Sequence, residues 1–239
     1  MNLQTNDNEG APQSTGARLK EILTRDIWNF FYANLIFCVS ILPGGAIMLL
    51  GIAGNSLMTA LAGGMLLGML GAPFWCGLCD TILRSLRDEA GYWSMQYRRA
   101  LRNNWKESLF PGILSGTFLV LWLFETHALI GEHGIPVTAF AVLLETAFLW
   151  LGVLNYLFPQ ITLVKVSGGR LWTNSIRLFV GTLPVAAGAV MIELFYWGVF
   201  LLLFPRSVPF LLVGGFWLPE LVVLMALRKP LHTYLHLGN

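Results

Sequence analysis

The chain has 239 residues, of which 56% are apolar and only 12% charged, and its net charge is +2. Soluble domains carry roughly twice that share of charge, so an ordinary soluble fold is excluded. No extended basic stripe with interleaved aromatics is present, which argues against a nucleic-acid partner.

Several uncharged stretches run for about 20 residues, long enough to cross roughly 30 Å of hydrocarbon as helices. Without an alternating β pattern, backbone groups inside lipid are satisfied only in helices. The expected class is therefore all-α: a polytopic membrane helix bundle of about six transmembrane helices in the lipid bilayer, with an amphipathic interfacial helix between spans two and three.

Residues 1–17 are polar, lack the apolar run of a signal peptide, and read as a disordered tail. Residues 18–230 form one transmembrane domain, and 231–239 a short cytoplasmic tail. Residues 17–29 place Leu19, Ile22, Leu23 and Ile27 on one side of a helix, expected to lie in the interface and feed the first span. Span one is placed at 28–50, and Pro43-Gly44-Gly45 is expected to kink or break it. A turn at 51–56 leads to span two, 57–83, which contains Pro73. Gly64 to Gly68 and Gly68 to Ala72 are small-xxx-small spacings that let helices approach closely.

Residues 84–107 are strongly charged. Asp88-Glu89-Ala90-Gly91 reads as a turn. Residues 92–106 read as an amphipathic helix with Trp93, Tyr97, Leu101 and Trp105 on one stripe and Arg98, Arg99 and Arg102 opposite. Such a helix, ending at Lys106, is expected on the membrane surface with its aromatics at headgroup depth. Span three is 109–130, followed by a short loop at 131–136, span four at 137–164 and a second charged linker at 165–177. Span five is 178–204 with Pro184 in its first third; a turn at 205–209 leads to span six, 210–227, which holds Pro219 and closes at Arg228-Lys229-Pro230.

Basic residues set the orientation. Arg18, Lys20 and Arg25, the linker after span two, Lys165, Arg170 and Arg177, and Arg228 and Lys229 all fall on one side of a six-span topology, while Arg206 is alone on the other. The expectation is a multi-pass plasma-membrane protein with both termini in the cytoplasm. Span two, its linker and span three weakly resemble span four, its linker and span five, as in parallel repeats.

Charged groups inside a bilayer are functional candidates. Glu145 lies in span four, Glu193 in span five, Glu220 in span six and Asp80 near the inner end of span two, with Arg84 placed to pair with it. They admit two readings: a polar or proton-coupled path, or protonated and hydrogen-bonded groups that hold the bundle together. Asn55, Asn155 and Asn174 are candidates for interhelical hydrogen bonds. Cys76-Gly-Leu-Cys79 has the spacing of a redox or metal pair, but no second ligand pair follows, and small packing residues explain it better. His127, Glu132 and His133 cluster with Glu125 in a polar loop, and His232 and His236 share a helix face; neither group fixes a metal geometry. No Walker A, Gly-x-Ser-x-Gly, His-Glu-x-x-His or Rossmann pattern occurs, so no cofactor or metal is expected.

Four motifs recur in order. They are Asn34-Leu35-Ile36-Phe37 before Leu42-Pro43; Gly71-Ala72-Pro73 before Leu83-Arg84-Ser85-Leu86-Arg87; the segment from Gly91-Tyr92 through Tyr97-Arg98-Arg99-Ala100-Leu101-Arg102-Asn103-Asn104-Trp105; and Tyr156-Leu157-Phe158-Pro159 before Asn174 and Gly181-Thr182-Leu183-Pro184. Together they resemble the YesL-like family of bacterial integral membrane proteins, a domain of unknown function, over residues 25 to 230. The resemblance implies an accessory role in carbohydrate uptake and supplies no catalytic residue. The leading expectation is a non-enzymatic accessory or regulatory component that docks on an ABC transporter permease or a sugar-binding component through residues 92–106. The alternative is an independent small-molecule transporter built on the intramembrane carboxylates, and homo-oligomers fit either reading.

Overall fold

A computed structural model describes residues 15–89, 91–129, 136–164 and 168–234. Within them the chain is an all-α polytopic membrane bundle with no strand among the described residues. The order is α1 (Thr15–Ala53), α2 (Leu57–Leu86), α3 (Trp93–Leu129), α4 (Val137–Leu163), α5 (Gly169–Gly181), α6 (Leu183–Leu202), the single turn α7 (Val208–Phe210), a π-helical turn (Leu211–Gly215) and α8 (Trp217–Tyr234). Helices α1, α2, α3, α4 and α6 are each long and apolar enough to cross a membrane. The segment from α7 through α8 makes a sixth candidate, bent by 43° at its break.

Helix α2 is the axis of the bundle, flanked along its length by α1 and α3. Glycines permit both contacts. A Cβ on Gly44 would strike the backbone of Leu67, and one on Gly63 the backbone of Met48, so α1 and α2 touch main chain to main chain. On the other face Gly64 and Gly68 lie against Gly116 and Gly112, and a Cβ on any of the four would meet the carbonyl oxygen opposite or a flanking side chain. Without a hydrophobic driving force between helices in lipid, such close approach is a main source of association. The α1–α2 turn is tight: Asn55 adopts φ 51°, a conformation its short polar side chain tolerates, and the Ser56 hydroxyl caps α2 by accepting from the Thr59 N–H (3.4 Å).

Four expectations are corrected. Pro43 interrupts nothing: α1 runs unbroken for 39 residues, because the backbone contact at Gly44 holds the segment against α2 and one lost donor is tolerated in a packed membrane helix. Residues 17–29 are the start of α1 and not a separate surface helix. Ile22 is fully buried, with Leu19 and Leu23 against the same core, while Ile27 points outward. Residues 92–106 are likewise no separate surface helix, since α3 continues through Pro111 to Leu129. At 37 residues it measures about 55 Å, well beyond the hydrocarbon thickness. Finally, the linker 165–177 is largely helix α5, which buries Leu171, Ser175, Leu178 and Phe179. Pro184 therefore sits at the start of α6, where its missing N–H costs least.

The weak repeat is correspondingly uneven, with a basic helix fused to α3 in one half and separate as α5 in the other. Helix α8 also passes Arg228-Lys229-Pro230 and ends at Tyr234, with Leu231 buried. The basic segments gather at one end of the bundle, where Ile22, Leu86, Tyr97, Leu178, Leu227 and Leu231 share a core.

Candidate functional site

A central cleft of about 220 Å³ lies where α1, α2, α3, α4, α6 and α8 converge. Phe37, Trp75, Phe158, Trp197 and Phe216 supply much of its apolar wall. Four polar side chains enter it: Ser115, Asn155, Glu193 and Glu220, and no Lys, Arg or His lines it among the described residues. Glu193 is 6% exposed and Glu220 2%. Asn155 on α4 donates to Glu193 Oε2 on α6 (2.7 Å). Cys79 on α2 donates its thiol to Glu220 Oε1 on α8 (3.3 Å). Each carboxyl is thus tied to a different helix by a neutral donor.

The break in the sixth candidate span borders this cleft through Phe216. Main-chain groups on both sides of the π-helical turn at 211–215 are reached by side chains of α1. Asn34 of α1, fully buried, donates through Nδ2 to the carbonyl oxygens of Leu211 (2.8 Å) and Leu212 (3.0 Å). Its Oδ1 accepts from the N–H groups of Phe216 (3.1 Å) and Trp217 (3.3 Å). The Cys38 thiol also donates to the Leu211 carbonyl oxygen (3.5 Å), so α1 supplies partners on both sides of the break, as irregular backbone at membrane depth requires.

The basic end carries a second, polar cleft of about 330 Å³. Here Arg18 and Arg25 of α1 both reach Asp88, just beyond α2. Arg84 bonds Asp80 one turn below it (2.7 Å) and also Glu89. Ser85 donates to Asp26. Partial desolvation alone would raise the Asp88 carboxyl, but the hydrogen bonds and charges of Arg25 and Arg18 outweigh it and hold Asp88 below its ordinary value.

The candidates from sequence separate accordingly. Glu193 and Glu220 come together in the central cleft, and Asp80 and Arg84 form the expected pair. Glu145 does not join them and lies exposed on α4. Of the aromatic stripe, Trp93 and Tyr97 turn inward. Trp93 donates to the Thr81 hydroxyl (3.2 Å), and the Tyr97 ring packs over Gly77. Trp105 is exposed, with the Lys106 ammonium 6.0 Å from its ring centre. Arg98, Arg99 and Arg102 are exposed.

Glu125, His127 and His232 are exposed, whereas Glu132, His133 and His236 lie outside the described residues. Among the described residues no three His, Cys, Asp or Glu side chains are grouped to hold a metal. Sequence reasoning placed Asn34 in a motif but missed its role at the break, and it missed the role of Cys79 as a hydrogen-bond donor. It also missed Gly112 and Gly116, whose spacing repeats that of Gly64 and Gly68.

No known protein family, curated protein or solved structure matches this chain.

Proposed function

We propose that this chain is a non-enzymatic carrier of a small solute in the plasma membrane, with the central cleft as its binding site and both termini in the cytoplasm. One observation carries the reading: Glu193 and Glu220, from different spans, enter one small cleft beside Asn155 with no basic side chain among the described lining residues. Intramembrane carboxyl groups are expensive and face pathways or binding sites when present. A broken span beside the site fits the same reading, since carriers build midplane sites from discontinuous helices. Two carboxyls and a carboxamide favour hydrogen-bond donors, so the solute class is a small amine or a polyhydroxyl compound. Convergence of the basic segments at one end supports the orientation.

The test is uptake into proteoliposomes of a panel of small amines and monosaccharides. The carrier reading expects at least one solute to enter with wild-type protein, and Glu193→Gln or Glu220→Gln to slow it by about tenfold or more without lowering protein yield. Entry of no panel solute above protein-free liposomes contradicts it.

A second reading has its own support. Arg98, Arg99, Arg102 and Lys106 form an exposed basic patch with Trp105 at the start of α3, and the sequence motifs there resemble the YesL-like family. A contact surface of this kind suits an accessory component of ABC-type carbohydrate uptake. Affinity purification from native membranes decides: stoichiometric recovery of a permease or sugar-binding component, lost on charge reversal of Arg98 and Arg102, favours this reading, and recovery of the chain alone removes it.

A further inference from the structure

A third cavity, separate from the central cleft, lies between α6 and the turn leading into α7. It has a volume of about 500 Å³, and Ile192, Phe195, Val199, Leu203 and Phe210 give it an apolar wall. Helix α6 has 20 residues and so spans about 30 Å, the thickness of the hydrocarbon. The turn after its C-terminal end therefore lies at headgroup depth. Arg206, exposed and without a carboxylate partner among the described residues, sits in that turn at the mouth of the cavity.

Two hydroxyl-bearing residues also line the cavity. Ser207 is occupied, donating to the carbonyl oxygen of Phe200 (2.8 Å). The Tyr196 hydroxyl is closed off from the cavity, with no hydrogen-bond partner among the described residues, so Arg206 is the polar group that the cavity offers to a ligand. No acidic side chain lines the cavity among the described residues.

We propose that this cavity binds one anionic phospholipid, its acyl chain against Phe195, Val199 and Phe210 and its phosphate on the Arg206 guanidinium. The guanidinium fork matches a phosphate. Selection for an anionic lipid follows from the lining. A zwitterionic headgroup brings an ammonium for which this cavity has no carboxylate, and that ammonium offsets the attraction of the phosphate to Arg206. The proposal is independent of the solute carried in the central cleft.

Native mass spectrometry of the full chain, exchanged into micelles containing equal phosphatidylglycerol and phosphatidylcholine, tests it. The expected result is one retained phosphatidylglycerol per chain, favoured about fivefold or more over phosphatidylcholine. Arg206→Gln, an exposed position that threatens no packing, reduces that preference to near unity. Arg98→Gln, at the opposite end of the bundle, leaves the preference unchanged. Equal retention of the two lipids by wild type, an unchanged preference in Arg206→Gln, or an equal loss in Arg98→Gln overturns the assignment.

Discussion

Asn155 donates a 2.7 Å hydrogen bond to Glu193 across the interface of α4 and α6. The pair joins two candidate spans at the central cleft, where the surrounding wall is largely apolar. Asn155→Leu removes the donor and leaves a buried carboxyl unsatisfied, so thermal stability in detergent is expected to fall. The double-mutant cycle with Glu193→Leu should recover a coupling of about 0.6 kcal/mol, and at most ~1.7 kcal/mol, the range for interhelical bonds in membranes. Strict additivity of the two single changes would show that the contact contributes nothing.

Gly68 and Gly112 test the α2–α3 seam. A Cβ on either meets backbone of the facing helix, so Gly68→Val or Gly112→Val is expected to destabilise by about 1–3 kcal/mol or to prevent folding. Gly188, where an added methyl group would meet open space, is the control: Gly188→Ala should be neutral or slightly stabilising. Size-exclusion profiles and melting temperatures of the three variants make the comparison.

Asn34 is expected to be harder to replace than its place in an apolar stretch implies. Asn34→Leu removes the side-chain partner of two carbonyl oxygens and two N–H groups at the break before α8, leaving the Cys38 thiol on Leu211, at about 1–3 kcal/mol for each group left unsatisfied. Hydrogen exchange at Phe216 and Trp217 should accelerate in Asn34→Leu but much less in Asn34→Asp, which keeps the acceptor. Equal exchange in wild type and Asn34→Leu would show that the break does not depend on this side chain.

Asp88 predicts a pH dependence at the basic end. Arg25 and Arg18 hold its carboxyl below the ordinary value of 3.8. A depressed carboxyl contributes stability that is present above the unfolded value and is lost as pH falls through the folded one. Asp88→Asn should therefore lower thermal stability near neutral pH, and the gap to wild type should close as pH drops below 3.8. The Asp88 side chain is 47% exposed, so the effect is small and shrinks with added salt. A gap that persists in acid would assign the loss to something other than the ion pairs.

Much of this was legible in the sequence because lipid imposes long apolar helices, and spans such as 57–83 and 137–164 coincide closely with α2 and α4. Pairing of Asp80 with Arg84 followed from their i, i+4 spacing. What failed were judgements in which local signals met tertiary contacts. Pro43 looks like a breaker, yet it sits inside a helix that α2 supports through glycine contacts. Charge made 165–177 look like a linker, although Leu171, Ser175 and Leu178 repeat at helical spacing on a buried side. Depth along a span does not give the direction a residue faces, and so Glu145 ranked with Glu193 and Glu220 although it points outward.

Whether the central cleft admits water and small solutes decides the carrier reading. Ser115 lines it and donates to the Pro111 carbonyl oxygen one turn back (2.8 Å), so Ser115→Cys places a thiol there with little disturbance. The wild-type chain, whose Cys38, Cys76 and Cys79 are buried, supplies the background for modification by a small cationic thiosulfonate in membrane vesicles. Ser115→Cys is expected to react well above that background. A Ser115→Cys thiol no more reactive than the wild-type background would mean a dry, sealed core, and the carrier reading would be wrong.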